Sequence, residues 1–139
     1  MSYKFVEGPT SDVMFEVEAS DLAKLLEQAS LALFEVMCQI KQVKPLRSVA
    51  IRIEENNEKD LLHSWLTALI AEFGANEMFF SKFDVKVSKK GKKLIATGKA
   101  YGEPISAKKG GVEVKGITYY NFNVEKTKKG YKATVVGDI

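Results

Sequence analysis

Cysteine and histidine are nearly missing from this chain, with one of each, Cys38 and His63, in 139 residues. A single cysteine excludes an internal disulfide framework and leaves no cysteine cluster for zinc. His63 falls beside the apolar stripe of its helix, as a boundary histidine does. Cys38 falls roughly opposite the apolar face of another helix, so a cysteine–histidine dyad would need chance proximity between the two. The glycines never take the Walker or Rossmann spacing, and Gly110-Gly111 has no helix behind it to receive a phosphate. No apolar run approaches the length of a membrane span, and Met1-Ser2-Tyr3-Lys4-Phe5 lacks the pattern of a signal peptide. The expectation is a cytoplasmic protein without a membrane partner. With neither an activated nucleophile nor a cofactor loop, an independent enzyme is the weaker reading.

What is present is the composition of a soluble globular protein, 45% hydrophobic and 28% charged. Its length fits one domain over residues 1–139, enough to bury a substantial core. The net charge of +3 hides an asymmetry. Residues 1–77 hold 7 basic against 13 acidic side chains, and residues 78–139 hold 14 against 5, so the halves carry −6 and +9. Lysine clusters in the second half suit a polyanion or an acidic partner surface, although lysines at loops and sheet edges also prevent sheets from adhering to each other.

Along the chain, Tyr3 to Glu7 reads as a short strand. Val13 to Glu18 alternates as a half-buried one. Ser20 offers an N-cap with Asp21 at the positive helix end, and Leu22, Leu25, Leu26, Ala29, Leu33, Val36, Met37 and Ile40 form one helical stripe. Pro45 ends any continuation, and Val49, Ile51 and Ile53 alternate as a strand. Asn57 caps a second helix that buries Leu62, Trp65, Leu66, Leu69, Ile70 and Phe73 and closes at Gly74. Its other side, Ser64, Thr67, Ala68 and Ala71, is either a solvated face or a place where a partner approaches. Phe79 to Ser88 and Leu94 to Gly102 flank Lys89-Lys90-Gly91-Lys92-Lys93, a hairpin with Gly91 supplying positive φ. After a loop from Pro104 to Gly111, Val112 to Glu125 is expected as one long strand bent at Gly116. Lys126 to Gly130 turns into a last strand, Tyr131 to Val136. The order predicts an α+β fold, two helices packed on one face of a largely antiparallel sheet.

The candidate chemistry lies in carboxylates. Asp12 precedes the alternating strand near one end of the chain, and Asp138 follows the last strand with only Ile139 behind it. Either the fold brings Asp12 and Asp138 together around a cation, or Asp12 caps a turn and Asp138 is merely exposed. Lys115, after the apolar run Val112-Glu113-Val114, can reach toward a carboxylate cluster or a partner's phosphate. Tyr119, Tyr120 and Phe122 near Lys115 form a candidate stacking face for single-stranded nucleic acid. Regular alternation would send Tyr119 and Tyr120 to opposite sides, one to the core and one to solvent.

Several segments together resemble the archease family, whose members activate the GTP-dependent RNA ligase of tRNA splicing. They are Thr10-Ser11-Asp12-Val13, the helix Ala29 to Met37, Asp60-Leu61-Leu62 with Trp65-Leu66, Gly102-Glu103-Pro104, Lys115-Gly116-Ile117-Thr118-Tyr119 and Val135 to Ile139. The resemblance implies a metal site of Asp12, Asp138 and a backbone or terminal oxygen of Ile139, and a functional lysine at Lys115. An all-oxygen set suits a divalent cation, calcium first, with magnesium or manganese as alternatives. It also implies a non-catalytic activator that promotes guanylylation and multiple turnover of the ligase, meeting tRNA through that ligase. The chain departs from the family pattern at Pro9, Ser64 and Tyr120, where the family commonly has His, Glu and His. Two other readings stand beside it: an RNA-binding or RNA-chaperone module using the basic half, and a metal-dependent hydrolase centred on the same carboxylates.

Overall fold

In the computed structural model, residues 2–7 and 12–139 are described. The elements are β1 (Ser2–Val6), β2 (Asp12–Ala19), α1 (Leu22–Met37), β3 (Arg47–Glu55), α2 (Glu58–Asn76), β4 (Met78–Lys90), β5 (Lys93–Pro104), β6 (Gly116–Thr127) and β7 (Gly130–Asp138). Short 3-10 turns at Ile40–Gln42 and Ala107–Lys109 punctuate the loops. The α+β class holds, and all ladders are antiparallel. The strands divide into two sheets instead of one, ordered β1-β2-β7-β6 and β3-β5-β4. Both helices serve both sheets, α1 lying against β2 and β4 and α2 against β3 and β6.

Alternation accounts for the first sheet. Phe15 and Val17 of β2 face Val135 and Ala133 of β7 in register, and all four are buried. Helix α1 buries Leu22, Leu25, Leu26, Ala29, Leu33, Phe34 and Met37 against them, and α2 buries Leu61, Leu62, Trp65, Leu66 and Leu69. Between the helices sits the one buried polar side chain among the described residues, Ser30. Its Oγ donates to the Leu26 carbonyl at 2.6 Å and accepts from the Trp65 indole Nε1 at 2.9 Å. Both polar groups are therefore satisfied in the dry interior, which is what allows them to be there.

Helix ends differ from the sequence expectation in three places. Asp21, not Ser20, is the N-cap of α1, its Oδ1 accepting from the Lys24 N–H at 2.8 Å. Helix α2 passes through Gly74 and ends at Asn76, where Glu77 takes the left-handed conformation at φ 51°. Asn57 caps α2 as expected, accepting from the Asp60 N–H at 2.8 Å. Ile40 has left the helical stripe for the first 3-10 turn. Cys38 is buried at the C-terminal end of α1, its Sγ donating to the Phe34 carbonyl at 3.1 Å, and does not lie on an open face. Gly91 does take the positive φ of the hairpin turn, at 62°.

Candidate functional site

Strand register brings the two ends of the chain together. Asp12 of β2 is the direct cross-strand partner of Asp138 of β7, and Asp138 in turn faces Gly116 of β6. Directly opposed residues on antiparallel strands hold their Cβ atoms about 4.5–5.5 Å apart on the same face. Two carboxylates are thus placed side by side at the end of a three-strand ladder, with Asp12 half-buried and Asp138 exposed. Like charges so placed repel unless a cation lies between them. Ile139 follows, 39% exposed.

Lys115 reaches this point by a route other than the expected one. Residues 112–115 are not strand; β6 begins at Gly116. Their backbone groups are used elsewhere, because the N–H groups of Gly111 and Val112 donate to the Met37 and Val36 carbonyls, both at 2.9 Å. Those carbonyls belong to the last turn of α1, where no intrahelical donor remains. The segment therefore crosses the end of α1, buries Val114, and delivers the Lys115 N–H to the Asp138 carbonyl at 2.7 Å. Gly137 makes the crossing possible, since a Cβ there would stand 2.9 Å from Val114 Cγ1. The Lys115 side chain is exposed, on a residue whose backbone is bonded to Asp138.

A divalent cation fits this donor set by its chemistry. Among the described residues no three His, Cys, Asp or Glu side chains are grouped to hold a metal ion. Coordination at Asp12 and Asp138 would draw on two carboxylates completed by main-chain oxygens, which suits calcium, magnesium or manganese and not zinc.

A second polar cluster, which sequence reasoning did not assemble, braces β6. The register breaks between Thr118 and Asn123, with Asn121 left-handed at φ 59°. The bulge lies past Gly116 and cancels the alternation assumed for the aromatics. Tyr119 and Tyr120 are both exposed, at 48% and 68%, while Phe122 is the buried ring. The Tyr119 ring stacks on His63 at 3.9 Å and 9°. Its hydroxyl donates to Asp60 Oδ1 at 2.9 Å, and Lys59 Nζ stands 5.9 Å from the ring centroid. His63 Nε2 is 2.7 Å from the Ile117 carbonyl. That bond ties α2 to the β6 residue next to Gly116. The Tyr119 hydroxyl and the Asn57 amide hold the Asp60 carboxyl below the usual carboxylate range. Burial, and then Asp60, push the Tyr119 phenol up to about 12. Helical spacing put Asp60 and His63 on one side of α2, but only the bulge presents Tyr119 to them.

The departures from the family pattern also find places. Ser64 donates to a Glu55 carboxylate oxygen, so β3 brings an acidic group to the position before Trp65. Thr67 and Ala71 of the small-residue face are exposed. Tyr120 points its edge of the bulge to solvent, its N–H donating to Thr118 Oγ1 at 3.1 Å. Pro9, with Thr10 and Ser11 of the first resembling segment, lies outside the described residues. Glu103, in the resembling Gly102-Glu103-Pro104, accepts from the Lys44 N–H and pairs with Lys109 Nζ at 2.6 Å. Those bonds, Lys109 first, hold its carboxyl low and staple the two 3-10 loops together. Cys38 and His63 have separate partners, and burial pushes the Cys38 thiol up to about 12.

Residues 3–139 match the family described as "Archease protein family (MTH1598/TM1083)". The chain is 38% identical over 140 residues to the protein archease of Archaeoglobus fulgidus, covering all of both chains. The solution structure of Methanobacterium thermoautotrophicum protein 1598 superposes with a TM-score of 0.87 at 30% identity, covering 99% of each chain. The crystal structure of a Thermotoga maritima archease, described as a possible chaperone, shares the fold at a TM-score of 0.64 and 20% identity, over 96% of this chain and 98% of that one. With the match running along almost its whole length, the chain belongs to the archease family.

Proposed function

We propose that the chain is a non-catalytic activator of the GTP-dependent RNA ligase of tRNA splicing, promoting guanylylation of the ligase and its repeated turnover. The observation that carries this reading is the register that sets Asp12 opposite Asp138 while the Lys115 N–H holds the Asp138 carbonyl. Membership of the archease family supports it. Asp12, Asp138 and an oxygen of Ile139 would hold a divalent cation, calcium before magnesium or manganese. When bound, the cation supplies positive charge that offsets the repulsion between the two carboxylates.

The chain's own residues do the rest. Asp12 and Asp138 stand opposite each other where the ladder of β2 and β7 ends, and the crossing segment fixes the Lys115 backbone against Asp138. Its exposed ammonium is a compact point charge for a carboxylate or phosphate of the ligase. His63 holds the Ile117 carbonyl and keeps the first residues of β6 in line. The tRNA ends to be joined are met through the ligase, in the cytoplasm. The test is ligation of a cleaved tRNA by the purified cognate ligase with and without this protein. Product should exceed one per ligase molecule only when the protein is added, and the protein alone should join nothing. Unchanged ligase turnover would overturn the reading.

A further inference from the structure

The lysine clusters of the basic half are turns 37 positions apart in sequence, from Lys89 to Lys126, yet the fold brings them to one end of the molecule. Lys89 near the end of β4, Lys92 of the β4–β5 turn and Lys126 near the end of β6 line one cleft of about 510 Å³, together with Leu22, Leu94 and Tyr131. Lys128, Lys129 and Lys132 line an adjoining cleft of about 390 Å³, and Tyr131 is common to both. From this convergence we propose that the lysine-rich end binds the phosphate backbone of single-stranded RNA.

Charge, floor and position support the assignment. Lys89, Lys90, Lys92, Lys126, Lys128 and Lys129 are all exposed, and none belongs to the ion pairs among the described residues. Lys93 and Lys132 are the flanking lysines that do pair, with Glu54 and Glu16. Glu18 and Glu58 are the acidic residues on the cleft walls. Lys82 and Lys86 lie along the middle of edge strand β4, where protection of a sheet edge acts, whereas Lys89 and Lys126 stand at the far ends of edge strands β4 and β6 and Lys92, Lys128 and Lys129 lie in the turns beyond them. The lysines repel one another with two carboxylates, Glu18 and Glu58, on the walls to offset them, an arrangement that a polyanion relieves.

A cluster of lysines alone suits phosphate, which an ammonium meets as a point charge, whereas forked pairing with a carboxylate relies on arginine, as it also does with phosphate. Both arginines, Arg47 and Arg52, lie on β3. One aromatic with Leu22 and Leu94 offers an apolar floor for a base or ribose without a continuous stacking platform, so backbone contacts dominate and sequence preference is slight. The nine residues of β7 separate this end from Asp138 by about 26 Å at the usual strand rise. The cleft is thus independent of the strand-end site, and its test needs no ligase.

The experiment is fluorescence anisotropy of a labelled single-stranded RNA titrated with the full chain at several salt concentrations, with labelled polyglutamate as a second probe. The triple variant Lys89→Gln, Lys92→Gln, Lys126→Gln should weaken RNA binding at least tenfold and reduce the slope of log affinity against log salt by about 2. A control triple, Lys82→Gln, Lys99→Gln, Lys108→Gln, removes the same charge from exposed positions outside both clefts and should bind as the parent does. Equal losses in both variants would mean diffuse attraction and overturn the proposal. So would an unchanged cleft variant, or polyglutamate binding tighter than RNA. Melting temperatures of both variants close to the parent's exclude unfolding as the cause.

Discussion

Asp12 and Asp138 are 126 positions apart in sequence and directly opposed in the sheet. If they share a cation, each contributes a full charge, so Asp12→Asn or Asp138→Asn should abolish or strongly weaken calcium binding measured by calorimetry. Equal binding in parent and both variants would remove the cation from the account. Asp60 makes a different prediction. Its lowered carboxyl contributes stability that is present above the unfolded value and lost as pH falls through the folded one. Tyr119→Phe removes the largest cause of that lowering. The melting temperatures of parent and variant should therefore differ at neutral pH and converge in acid, as Asp60 takes up its proton. A constant gap across the acid range would assign the difference to packing on His63 instead.

At the level of elements, periodicity made both helices and most strands legible, because alternation and the 3.6-residue stripe report directly which face is buried. It failed where a backbone group has a tertiary partner. The N–H groups of Gly111 and Val112 are taken by the end of α1, so the segment before Gly116 is not strand. Nothing local in Val112-Glu113-Val114 announces that. The bulge in β6 is similarly set by pairing with β7 and by His63 and Asp60 on α2, so Tyr119 and Tyr120 defy alternation together. Helix ends slipped by one residue at Asp21 and by three at Glu77, where competing caps stand close in sequence. The contact that joins the helices, Trp65 to Ser30, was equally hidden. Ser30→Ala would strand the Trp65 N–H in a dry core, and should lower stability by about 1–3 kcal/mol in denaturant unfolding. A loss near zero would show that the indole finds another acceptor.

On the scale of the whole molecule, lysines of the basic half gather at one end of β7 and the paired carboxylates stand at the other. The acidic half supplies Asp12, the basic half supplies Asp138 and Lys115, and β7 runs from the lysine turns at Gly130 to the carboxylates at Asp138. The pairing of Asp12 with Asp138 was legible as one of two readings, because both flank strands of matching alternation. The convergence of the lysine turns was not, since it depends on how two separate sheets lie against α1 and α2. Under the proposed function Lys115 is the residue to change, because its side chain is exposed while its backbone is already engaged. Lys115→Ala should leave unfolding free energy within roughly 1 kcal/mol of the parent. The decisive measurement is multiple-turnover ligation by the cognate RNA ligase in the presence of the parent or of folded Lys115→Ala. The account predicts repeated turnover with the parent and its loss with the variant; equal stimulation by both would contradict it.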